Sequence, residues 1–199
     1  MISLGGAPVT NYEKWGEIDL LKDHRSASPI FLLSLALLFL PILLGLWGHP
    51  ISCFWSGGLL PPLLTLPLIL LYFLLHELVH GLLIWLCSGL PPRFGIAPGC
   101  LYAASDAYFS RPQYLLIALS PVLSWGGLLL VLCQLLPPDW LWPLQLIQAF
   151  NFSGSAGDLY LAWMVQAKLP SEIFIQDSGP FMTFYLKKEA PSDVDQPAL

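Results

Sequence analysis

The stretch His76-Glu77-Leu78-Val79-His80 combines two imidazoles and a carboxylate at a spacing that can do chemistry. On a helix, residues four apart lie one turn apart on one face, so both imidazoles can reach one metal ion while Glu77 can reach a water bound there. This is the HExxH pattern of water-activating zinc sites. Such a site takes a third protein ligand and leaves one position open. Asp158 is the candidate third ligand, being the one other carboxylate inside the long apolar stretches of the chain.

Those stretches determine what must position the four residues. Of 199 residues 56% are hydrophobic and 11% charged, against roughly a quarter charged in a soluble domain. No Asp, Glu, Lys or Arg occurs at 26–76, 112–138 or 140–157. About 20 apolar residues cross the roughly 30 Å of bilayer hydrocarbon, so the expected fold is an all-α integral membrane protein. About four transmembrane helices are expected, near 29–47, 63–88, 113–136 and 140–167, with small cytoplasmic β-hairpins. Residues 1–28 form an N-terminal segment ending in Lys22-Asp23-His24-Arg25, too long and late for a cleaved signal peptide. Residues 168–199 form a tail, with a hairpin expected over 172–187 and a disordered composition beyond. The net charge of −5 provides no basic surface, which excludes nucleic acid as a partner.

Orientation follows from the eight basic residues, Lys14, Lys22, Arg25, Arg93, Arg111, Lys168, Lys187 and Lys188. Four spans place all of them on one side, which the positive-inside rule makes cytoplasmic. Both termini and the loop 89–112 then face the cytoplasm. In that loop Ala97-Pro98-Gly99-Cys100 has the residue order of a type II turn between two extended arms. The tail has a similar signal: Ile173–Gln176 and Phe181–Leu186 flank Asp177-Ser178-Gly179-Pro180.

Depth links the candidate ligands. His80 lies nine residues before Gly89 and Asp158 ten before Lys168, which puts both roughly 14–15 Å from the cytoplasmic ends of their spans. Gly154 and Gly157, with Ser153 and Ser155, form a small-residue stripe that lets the fourth span approach the second. Asn151 is two turns before Asp158 on the same face. It is a candidate to hold a substrate carbonyl or developing oxyanion, the other reading being an interhelical hydrogen bond. Interhelical polar pairing or proton relay remains an alternative for His76, Glu77 and His80, as does a hydrogen bond to Ser or Trp for Asp158.

An HExxH inside a transmembrane helix, a Gly-Asp pair in a later span and a Gly-rich cytoplasmic loop between them resemble the site-2 intramembrane zinc metalloproteases. The Ser155-Ala156-Gly157-Asp158 form and the small size are more similar to their compact relatives, the putative zincin peptidases. The likeness spans about Leu71 to Tyr185 and includes Ser110-Arg111-Pro112-Gln113-Tyr114. It departs from the larger site-2 proteases in that Gly157 precedes Asp158 instead of following it. The resemblance implies Zn2+ held by His76, His80 and Asp158, and Glu77 as the catalytic base. It further implies hydrolysis of peptide bonds in membrane-embedded or membrane-adjacent substrates.

The competing class is a non-catalytic metal-binding scaffold or a transporter. A transporter lines a path with polar groups reaching both faces and often shows repeated halves, whereas here there is one polar layer and no internal repeat. The cysteines, Cys53, Cys87, Cys100 and Cys133, have no CxxC spacing. Cys53 and Cys133 lie toward the same face and can either pair or stay as apolar thiols. His24 and His49 complete no metal set. Oligomeric state is open at the sequence level.

Overall fold

The computed structural model describes residues 12–20, 22–98 and 100–187. Three long apolar helices form its body: α1 (His24–Gly48), α3 (Leu60–Ser88) and α4 (Arg111–Leu135). A single turn, α2 (Cys53–Ser56), links the first two. At about 1.5 Å per residue each long helix exceeds the roughly 30 Å hydrocarbon thickness. All three are long and apolar enough to cross a membrane. Their ends follow local chemistry. Pro61 and Pro62 open α3, where a missing N–H costs nothing. Gly89, at φ +73, ends it in the left-handed conformation and donates its N–H to the Trp85 carbonyl.

The fourth apolar segment departs from expectation. After a short 3-10 turn (Pro138–Trp140) it forms two helices, α5 (Leu141–Gly154) and α6 (Ala156–Lys168), that meet at Ser155. Each is roughly 20 Å long, so four continuous spans are not present among the described residues. The Ser155 hydroxyl donates to the Asn151 carbonyl at 2.8 Å, and its N–H points to the same oxygen. Small residues with low helix preference occupy this junction, and hydroxyl back-bonding of this kind bends helices. Polar contacts tie α1 to the broken segment: Ser34 and Ser153 hydroxyls lie 2.8 Å apart, and Gln145 Nε2 donates to the Pro41 carbonyl.

The strands also amount to more than two hairpins. β2 (Arg93–Ala97) and β3 (Cys100–Ala104) pair antiparallel as expected, although Gly99 of their turn lies outside the described residues. The tail strands β5 (Phe174–Asp177) and β6 (Phe181–Lys187) also pair, but within a four-stranded antiparallel sheet ordered β1-β6-β5-β4. β1 (Tyr12–Asp19) and β4 (Tyr108–Ser110) have no counterpart among the expected hairpins. The expected disordered stretch beyond Lys188 lies outside the described residues.

The sheet closes one end of the helices. Phe109, Ile175, Met182 and Phe184 are essentially fully buried and pack with Tyr114, Ile117, Leu161 and Val165 of α4 and α6. A second cluster, with Ile69, Tyr72, Leu129, Leu144 and Ile147, joins α3, α4 and α5 farther from the sheet. Between the clusters lies the polar layer of α3.

The motif Ser110-Arg111-Pro112-Gln113-Tyr114 anchors the start of α4. Gln113 Oε1 accepts from both the N–H and the hydroxyl of Ser110, a capping box. Arg111 donates to the Leu169 carbonyl just past α6. Tyr114, 3% exposed, points its hydroxyl at Met182 Sδ of the sheet.

Candidate metal centre

The 29-residue α3 carries His76, Glu77 and His80. Tyr72, His76 and His80, spaced by four, lie on its buried face, while Glu77 is turned toward a half-open cleft. Asp158 comes from the first turn of α6. Its Oδ2 is 3.4 Å from Nε2 of His76 and 3.4 Å from Nε2 of His80. The three ligand atoms all lie within 4.8 Å of one another. Two ligands about 2.05 Å from a tetrahedral zinc stand about 3.4 Å apart. The imidazole, imidazole and carboxylate set therefore fits zinc in its chemistry, and both histidine–carboxylate separations match the tetrahedral value.

The imidazoles are held from behind. His80 Nδ1 lies 3.0 Å from the Ile117 carbonyl of α4, and His76 Nδ1 lies 2.8 Å from the Tyr72 hydroxyl. Both Nε2 atoms are thereby left facing Asp158. Backing of this type fixes ring orientation and raises ligand basicity.

Two cavities meet at the site. The larger, about 590 Å³, runs along α3 past Phe73, His76 and Glu77 and is bounded by Ile96, Cys100 and Leu101 of the β2–β3 hairpin. The smaller, about 170 Å³, holds His76, Glu77, His80 and Asp158 and extends to Asp177 and Gly179 of the β5–β6 turn. The hairpin reaches this close because α3 has Gly81 beneath it: a Cβ there would sit 2.5 Å from Phe94 Cζ. Asp177 lies outside the long helices, and burial pushes its carboxyl up to about 7, against the opposing effect of the Gly179 N–H that donates to it.

The structure thus brings His76, Glu77, His80 and Asp158 to one place. It places Asn151 elsewhere: fully buried, accepting from Tyr72 and donating to the Val122 carbonyl, with no surface toward either cavity. The expected substrate contact gives way to the interhelical hydrogen bond that was its alternative. The small-residue stripe is also used differently. A Cβ at Gly154 would make ordinary contact with Phe73 of α3, whereas Gly157 faces open space in the smaller cavity. All four cysteines are free, so Cys53 and Cys133 are not paired. Sequence reasoning passed over Tyr72 and Asp177. Tyr72 carried a usable signal, one turn before His76 on the same face, but Asp177 reads as an ordinary turn residue.

A His-Glu-x-x-His helix with a third ligand from a distant element defines a zincin-type site. The chain belongs to the putative zincin peptidase family, whose family model matches residues 69–172, just over half of it. Membership implies zinc as the cofactor and points to a metallopeptidase. Neither a curated protein nor a solved structure matches the chain.

Proposed function

We propose that this protein is a membrane-embedded zinc metallopeptidase that hydrolyses peptide bonds of membrane or membrane-adjacent substrates. The observation that carries the reading is the convergence of His76 and His80 on Asp158, each nitrogen 3.4 Å from its carboxylate, with Glu77 on the adjoining cavity wall. His76, His80 and Asp158 hold the metal. Zinc bound there supplies Lewis acidity, lowering the pKa of water toward 7 and polarising a carbonyl. Glu77 takes the proton of the attacking water and delivers it to the departing amine. The mostly apolar cleft along α3 receives the substrate chain. The β2–β3 hairpin, whose outer edges are unpaired among the described residues, offers a rail on which an unwound segment can add as a strand.

Membrane embedding is supported by the three long apolar helices and by Leu, Phe and Trp side chains exposed along them. The basic residues among those described belong to the sheet end of the molecule or to the helix ends beside it, which supports a cytoplasmic sheet and cytoplasmic termini. The test compares wild type with Glu77→Gln, both purified in detergent and reconstituted with a model transmembrane peptide carrying a helix-weakening Gly-Pro pair. About one zinc per chain is expected in both proteins. Cleavage is expected only with wild type, and a Glu77→Gln protein that still cleaves would sink the mechanism.

A further inference from the structure

We propose that Tyr72 and Asn151 are positioning residues that dictate which nitrogen of His76 faces the metal, a role that rests on the metal-site reading above. The argument starts on α4. The Val122 carbonyl can only accept a hydrogen bond, and an Asn151 amide nitrogen lies 3.3 Å from it. Asn151 is therefore oriented with Nδ2 toward α4 and Oδ1 toward α3. Oδ1 lies 3.0 Å from the Tyr72 hydroxyl and can only accept, so the single phenolic proton goes to Asn151.

Ser155 also lies beside that hydroxyl, but its own proton is engaged by the Asn151 carbonyl. With the Tyr72 proton on Asn151 Oδ1, the phenolic oxygen is left as an acceptor. His76 Nδ1, 2.8 Å away, must then be the donor. With the ring proton on Nδ1, the Nε2 lone pair is free, and Nε2 is the atom 3.4 Å from Asp158. One helix carbonyl thus sets a metal ligand's tautomer through two side chains. The relay is closed to bulk solvent: Asn151 is 0% and Tyr72 3% exposed.

His80 needs no such device because the Ile117 carbonyl serves as its acceptor directly. Tyr72 supplies that acceptor for His76. Asn151 keeps Tyr72 from turning its proton toward His76, which would select the tautomer with hydrogen on the metal-facing nitrogen.

The test measures zinc affinity in detergent by competition with a chromophoric chelator. Tyr72→Phe and Asn151→Leu should each weaken zinc binding by about 10- to 100-fold. The double variant should bind no more weakly than Tyr72→Phe alone, because one chain is cut in both. Ile69→Ala, a packing change in the same buried cluster, should lower thermal stability and leave zinc affinity unchanged. A second readout does not depend on any variant folding: nitrogen-15 NMR of histidine-labelled, zinc-loaded wild type should show His76 protonated on Nδ1. Wild-type affinity in Tyr72→Phe, additive losses in the double variant, or a His76 proton on Nε2 would each overturn the assignment while leaving the metal site standing. Failure of wild type to bind zinc would overturn both.

Discussion

Replacing Asp158 by Asn keeps the side-chain volume, removes the carboxylate charge and sets a weaker ligand 3.4 Å from both histidine nitrogens. Structural zinc sites with four protein ligands bind with about 10–16 kcal/mol, so one ligand is worth roughly 3–4 kcal/mol. Its loss corresponds to about 10²- to 10³-fold in Kd. At free zinc of about 100 times the wild-type Kd, binding stabilises wild type by about 2.7 kcal/mol. A variant weakened about 100-fold sits at its own Kd and gains only about 0.4 kcal/mol. For a chain of this length 1 kcal/mol moves Tm by about 2–4 °C. Zinc should then raise the melting midpoint by about 5–11 °C in wild type and by about 1–2 °C in Asp158→Asn. The assay is a thermal melt in detergent with zinc buffered by a chelator and read beside metal content. Equal zinc-induced shifts in the two proteins would remove Asp158 from the ligand set.

Two further outcomes test the frame around the site. Burial holds the Asp177 carboxyl near 7 in the folded protein, above its unfolded value of about 3.9. Between these values the folded state keeps a proton that the unfolded chain has lost, so stability should fall as pH rises from about 4 to about 7 and level off above. The span is on the order of 2–4 kcal/mol, and Asp177→Asn should flatten it; identical pH profiles for the metal-free proteins would refute the assignment. Gly179 has φ +87, and a Cβ there would fall 2.4 Å from Tyr102 Cδ2. Gly179→Ala should therefore cost about 2–3 kcal/mol through strain and collision. Tyr102→Ala should recover the collision part, which a denaturant series on the single and double variants would read; full additivity would exclude the contact.

The sequence carried the site further than it carried the fold. His76, Glu77 and His80 are adjacent on one element, so their spacing alone places them together. Asp158 could be matched to them by counting residues from the ends of the apolar segments, because packed parallel segments make depth along them nearly one-dimensional. Tertiary direction was not encoded in that way. Hydropathy over 140–167 is continuous, so it could not reveal that Ser155 divides the segment into α5 and α6. β1 reads Tyr-Glu-Lys-Trp-Gly-Glu-Ile-Asp, with none of the alternation that marks a half-buried strand. It is a strand because β6 offers an open edge, and its register shifts around Trp15. Asn151 was located on the right face, but facing a ligand's helix differs from facing substrate, and that depended on Tyr72 standing between them.

The division at Ser155 is what makes a carboxylate tenable in this position. A buried charge inside an apolar bundle is expensive, and a continuous helix over 141–168 would have left Asp158 only the two imidazoles to offset that expense. Because α6 begins at Ala156, Asp158 falls in its first turn, where the positive end of the helix dipole favours an anion. Interrupted backbone inside an apolar helix bundle is tolerated where it lines a cavity or is bonded within protein. Both conditions hold, since Gly154 and Gly157 border the cavities and the Ser155 hydroxyl meets the Asn151 carbonyl. That same junction sets Asn151 at the end of α5 against Tyr72 and Asp158 at the start of α6 against both imidazoles. One local departure from helix thus supplies the third ligand and the residue that orients the first.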